Sequence, residues 1–282
     1  MSTRGPSLDI KSRLHVLLSR EARTAVVIRR GPSKKVLTVG WNRSDDTFTV
    51  GQWLSGRIYE RRCDLSPDGK YMIYFALSGA WKSEAKGSWT AVSRAPYLKA
   101  ICLWAKGDAW NGGGLFVSNR RYCLNDGYGH SLVRDTKEVE RDLKDFPQGP
   151  VANNECLGIY YPRLLRDGWK LMAAVENPKW HRADVFEKHC GDVWLLRKTA
   201  KAGLGNPAGK GVYYDEHELV NSQSGKSLAF PQWEWADVDG ERLCWAEAGK
   251  IFAARLGSNG PIAVKELHDF NNYEYERIKA PY

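Results

Sequence analysis

Leu65-Ser66-Pro67-Asp68-Gly69-Lys70-Tyr71-Met72-Ile73-Tyr74-Phe75 sets a tight turn directly against a run of aromatic and β-branched residues. Proline fixes φ, aspartate bonds the backbone just ahead of it, and glycine accepts a positive φ, so such a stretch reverses the chain into an antiparallel strand. The pattern returns in weaker form at Arg166-Asp167-Gly168-Trp169 and at Val238-Asp239-Gly240-Glu241-Arg242-Leu243-Cys244-Trp245. Along the whole chain, short apolar runs are bounded by Gly, Pro, Asn, Asp or Ser. About 20 such runs can be counted, with a turn roughly every 8–12 residues, a spacing that excludes regular βαβ alternation.

So many short strands must hide their edges. Radial closure does so, and the expected fold is all-β, a β-propeller of about five four-stranded blades. A pair of stacked sandwiches is the rival arrangement. The Asp-Gly anchors are unevenly spaced, which implies insertions between repeats. Two helices are expected beside the strands. Residues 7–21 place Ile10, Leu14, Leu17 and Leu18 at helical spacing behind a capping Ser7. Arg134–Asp145 mixes charges of both signs, with Val139 and Leu143 one helical turn apart, and reads as an exposed helix. The chain then divides into a basic N-terminal helix or extension over 1–22 and a propeller domain over 23–282. The propeller carries a charged insertion at about 125–155, where a scaffold commonly bears specificity.

The string Ser66-Pro67-Asp68-Gly69-Lys70, followed by aromatic strand residues, resembles the blade motif of TolB-like bacterial propellers, kin to the Trp-Asp repeat proteins. The resemblance rests on one full motif and two degenerate ones. It implies a propeller fold. Those families mostly bind other macromolecules and also host enzymes, so it implies little about activity.

The charge balance fits either a solvated basic segment or an acidic partner, nucleic acid or protein. The net charge is +9, and residues 1–35 hold nine basic side chains against Asp9 and Glu21. Arg13, Arg20, Arg23, Arg29 and Arg30 are the expected steering residues. The start, Met-Ser-Thr-Arg-Gly-Pro-Ser, lacks the apolar stretch of a secretory signal, and no run approaches the roughly 20 apolar residues that span a bilayer. A cytoplasmic location away from membranes is expected, with Cys63, Cys102, Cys123, Cys156, Cys190 and Cys244 as buried reduced thiols.

Motifs for chemistry are weak. Ser224-Gly225-Lys226-Ser227 ends like a phosphate loop but has Val220 where the first glycine is required. His181, His189, Cys190 and Asp192 fit no zinc spacing. Asp215-Glu216-His217-Glu218 would alternate faces on a strand and cannot all converge. Gly129-His130-Ser131 is no nucleophile elbow. No metal or cofactor is expected, and no catalytic residue is assigned. Aromatic and basic residues interleave, however, and the expected contact surface is Trp53, Arg57, Tyr59, Arg94, Tyr97 and Trp110. The expected function is a non-enzymatic binding module for a macromolecular partner, foremost a protein, in an inhibitor, immunity or defence role. Two alternatives stay open: an enzyme acting on a small anionic or sugar-like substrate in the central channel, and nucleic-acid binding through the basic N-terminus.

Overall fold

The computed structural model describes residues 11–31, 34–126, 129–143, 155–174, 176–177, 181–204, 206–207 and 210–282. The first sheet is a four-stranded meander of β1 (Arg13–Leu18), β2 (Thr24–Arg30), β3 (Lys35–Asn42) and β4 (Thr47–Ser55). The second is built on β5 (Arg57–Ile58), β6 (Asp64–Leu65), β7 (Tyr71–Leu77), β8 (Ser88–Arg94) and β9 (Ala100–Ala105). The third begins with β10 (Gly114–Phe116) and β11 (Arg121–Leu124). Next, β12 (Ser131–Arg134) returns to pair with β9, and β13 (Glu140–Arg141) joins β11 in parallel.

A helix, α1 (Leu157–Arg166), precedes the fourth sheet. That sheet comprises β14 (Lys170–Ala173), β15 (Glu176–Asn177), β16 (His181–Cys190), β17 (Trp194–Ala202), β18 (Tyr213–Asn221) and β19 (Ser227–Ala229). The fifth is again a meander: β20 (Trp233–Asp239), β21 (Arg242–Glu247), β22 (Lys250–Gly257) and β23 (Gly260–Asp269).

Strand periodicity explains how the sheets assemble. On the first sheet, Leu14, Val16, Ala25, Val27, Leu37 and Val39 pack with Trp235, Cys244 and Ile251 of the fifth. Their neighbours in sequence, Leu17, Val26, Ile28 and Val36, face the other way and pack with Met72, Tyr74 and Ala91 of the second. Ile73 and Val92 turn from there to Phe116 and Tyr122 of the third sheet. Leu196 and Leu219 of the fourth sheet meet Trp233, Leu243 and Trp245 of the fifth. The gap between third and fourth is bridged by α1, whose Leu157, Tyr160, Tyr161 and Leu164 join the latter core, while Arg166 Nη1 donates to the Phe116 carbonyl at 3.2 Å. Each sheet is thereby covered on two faces and the order closes on itself. The chain is an all-β propeller.

Regularity is lower than expected. Of the five sheets among the described residues, only the first and fifth are four-stranded meanders. Both expected helices are corrected. Residues 13–18 form β1, because Leu14 and Val16 feed one sheet interface while Leu17 feeds the next; a strand buried on both faces has apolar residues at adjacent positions and imitates helical spacing. Residues 1–10 lie outside those described. Within the charged segment, Arg134 ends β12 and Glu140–Arg141 form β13, since Arg120 and Arg121 of the neighbouring strand hold the Glu138 carbonyl and Asp142. The part of the insertion over 144–154 lies outside the described residues.

Candidate functional site at the ring centre

Strand β1 and helix α1 each contribute side chains to two cavities. Arg13, at the start of β1, and Cys156, just before α1, line one mouth of about 620 Å³. His15 to Leu18 and Arg163 to Asp167 line the second cavity, of about 520 Å³.

The first mouth is cationic, with five arginines (13, 30, 57, 61 and 62) facing two acids, Glu60 and Glu155. Arg13 and Arg30 come together because they are register partners on β1 and β2. Arg57 and Arg62 both lie over the Tyr59 ring, at 4.4 and 4.6 Å from its centroid. Arg62 is fixed by Glu155 Oε2 at 2.7 Å and donates to the carbonyls of Ala109 and Asn111, holding the loop that carries Trp110. That indole is 60% exposed.

Behind the mouth lies a buried polar centre. Tyr160 Oη donates to Asp215 Oδ2 at 2.6 Å, and Arg61 pairs with Asp215 Oδ1 at 3.1 Å. Burial raises the Asp215 carboxyl, but Arg61, Lys198 and His217 outweigh it and hold it below the usual range. Lys198 Nζ donates to Tyr160 Oη at 3.3 Å and lies 4.4 Å from the Trp169 ring; burial, against the pull of Asp215 and Asp237, brings its pKa down to about 8. Arg163 Nη2 is 2.9 Å from His15 Nε2. A guanidinium only donates, so His15 accepts there and is neutral with its proton on Nδ1. Burial and the nearby Arg163 keep its pKa well below 6.5. His217 is pushed down to about 3, first by burial and then by Lys198.

Around the second cavity the rim charges are matched. Asp239 holds Arg23 at 2.8 Å and Arg43 at 2.6 Å, Lys188 holds Asp237 at 2.7 Å, and Arg166 lies between Asp64 and Asp167. Among the described residues no cluster of His, Cys, Asp and Glu forms a metal site.

The six expected contact residues separate into two groups. Arg57 and Tyr59 line the arginine mouth, and Trp110 sits on the loop whose Ala109 and Asn111 carbonyls bond Arg62. The other three lie under the segment 270–282: Trp53 meets Tyr275, Arg94 lies over Tyr282, and Tyr97 stacks edge-on with Tyr282. Of the steering residues, Arg13 and Arg30 line the first mouth, and Arg20 and Arg23 the second cavity. Arg29 is buried, bonded to the Phe270 and Asn271 carbonyls. Asp215 and His217 do share the buried face of β18, while Glu216 and Glu218 pair outward with Lys201 and Arg197. Sequence reading missed Tyr160, Arg163 and Lys198. The spacing of Leu157, Tyr160, Tyr161 and Leu164 was the available signal for the first two.

No family model matches the chain, and no curated protein matches it in sequence. Among solved structures, it is similar to the β-propeller domain of the Trilobed protease from Pyrococcus furiosus, at 11% identity and a TM-score of 0.38, covering 93% of this chain and 100% of that one. A candidate 6-phosphogluconolactonase from Bacteroides uniformis gives 10% identity and a TM-score of 0.29 over 92% of this chain and 98% of that one. Likeness at these scores carries no weight for function; the ring is read from its own sheet contacts.

Proposed function

We propose that this propeller is a non-enzymatic binding module that takes an acidic segment of a protein partner at the arginine mouth. The observation behind this reading is the set of five arginines against two glutamates, with the exposed Trp110 on the loop that Arg62 holds. Arginine, tyrosine and tryptophan dominate the energetics of protein interfaces, and a positive patch speeds encounter with a negative one. Trp81, 56% exposed, adds a second indole on the loop after β7. That loop adjoins the Trp110 loop, since Gly107 approaches Lys86. The proposal includes kinship with TolB-like propellers, supported by the Ser66–Lys70 turn. It also includes a cytoplasmic site of action, supported by six free, buried thiols. No helix among the described residues is long and apolar enough to cross a membrane.

The test is affinity capture with the intact chain and with the double variant Arg30→Glu, Arg57→Glu, followed by titration of the recovered partner. The partner should bind the parent at least about tenfold more tightly, with the difference shrinking as salt rises. Equal binding by both proteins would remove the mouth from consideration. Affinity for a random single-stranded oligonucleotide that falls steeply with salt would favour nucleic acid instead.

A further inference from the structure

Lys198 on β17 and Arg163 on α1 line the same cavity, distinct from the arginine mouth. Both are buried, at 1% and 6% exposure. Neither forms an ion pair with the described residues: Lys198 Nζ bonds to Tyr160 Oη, and Arg163 bonds to the Glu60 and Cys63 carbonyls and to His15. The cavity wall as a whole carries seven basic side chains against five acidic ones. Asp215 and Asp237 act on Lys198 only from beyond ion-pair distance, and a buried cation without a direct carboxylate partner is costly, so two of them in one cavity point to a use.

The remaining donors define the ligand. A guanidinium has five N–H groups and an ammonium three, and neither can accept a hydrogen bond. After the bonds above, Arg163 keeps Nε–H and one Nη2–H, and Lys198 keeps two N–H groups. Between these two side chains the free groups are donors only, which suits a group with several acceptor oxygens and negative charge. The Trp169 ring, beneath Lys198, gives the cavity an apolar wall. A volume of about 520 Å³ suits a metabolite-sized molecule.

We propose that this cavity is a binding site for a small oxyanion, a carboxylate or phosphate on a compact body, with the anion held between Lys198 Nζ and the Nε edge of Arg163. The site is separate from the acidic-partner mouth and does not depend on it.

Isothermal titration of the intact chain with inorganic phosphate and with citrate, against chloride at matched ionic strength, tests the proposal and separates the two sources of anion. One of the two should bind with unit stoichiometry. Lys198→Met should weaken it by about tenfold or more, while Lys198→Arg keeps most of the affinity. Acylation of the parent protein gives a readout that needs no variant: the better anion should slow labelling of Lys198 relative to the exposed Lys82. Failure of both anions to bind, unaltered Lys198 labelling, or equal affinity in Lys198→Met would each overturn the site.

Discussion

Glu234 on β20 shows how burial inside the ring converts to a pH response. Its Oε2 accepts the Leu14 amide at 2.8 Å, stapling the fifth sheet to the first. Burial raises its pKa from 4.5 to about 7, even though the Leu14 N–H, Arg13 and Arg30 all pull it down. Between those values the folded state holds a proton that the unfolded chain has released. The contribution of Glu234 is therefore full below about pH 4.5 and is lost as pH rises through 7, at most about 3 kcal/mol. A glutamine in its place would accept the same amide and never ionise. Urea unfolding of Glu234→Gln at pH 4.5 and pH 8 should show the variant gaining on the parent by up to that amount at the higher pH. Parallel stability curves would mean that Glu234 titrates as in a free chain. His217 works in the other direction: its folded pKa of about 3 costs stability as pH falls below 6.5.

At the scale of elements, one turn motif has three fates. Asp68-Gly69 turns β6 into β7, with the Ser66 hydroxyl bridging Asp68 and the Tyr71 amide. Asp239-Gly240 is the hairpin between β20 and β21. Arg166-Asp167-Gly168 instead ends α1, where the Trp169 amide bonds the Leu164 carbonyl at 3.0 Å and the Gly168 amide bonds Leu165 at 3.3 Å, the Schellman pattern. Gly168 has φ +89, and a Cβ there would meet nothing closer than 3.9 Å. Gly168→Ala should therefore cost only the backbone term, about 1 kcal/mol in chemical unfolding. A loss of several kcal/mol would show that the neighbouring sheet cannot yield.

Strands were legible because turn formers bracket them: β8 (Ser88–Arg94) follows Gly87 and ends before Pro96, and β21 (Arg242–Glu247) follows Asp239-Gly240. The helix was not, because Leu157-Gly158-Ile159-Tyr160-Tyr161 is rich in strand formers and Pro162 breaks the helical signal. Half of the candidate mouth was readable as interleaved Arg57 and Tyr59. Lys198 and Arg163 were not, since they come from elements distant in sequence that only the closed ring brings together.

For the whole molecule, closure depends on the meeting of the first and fifth sheets. Two devices hold it. One is the shared core of Val16, Val27, Trp41, Trp235 and Ile251, and each such side chain contributes about 1.5–3 kcal/mol by burial. The other is Asp239, whose fully buried carboxylate from the fifth sheet binds Arg23 and Arg43 of the first, with Arg242 beside them at 2.8 Å. Arg43, only 7% exposed, has no other carboxylate partner among the described residues, although it also donates to the Ser19, Ala22 and Thr24 carbonyls. Asp239→Asn keeps the volume and removes the charge, leaving a buried guanidinium uncompensated at a cost of about 3–5 kcal/mol. Because every sheet is covered by two neighbours, that loss should lower one cooperative transition in calorimetry rather than release a single sheet. A separate early transition would mean that the ring unzips sheet by sheet, and an unchanged melting temperature would show that the hydrophobic seam closes it without the aspartate.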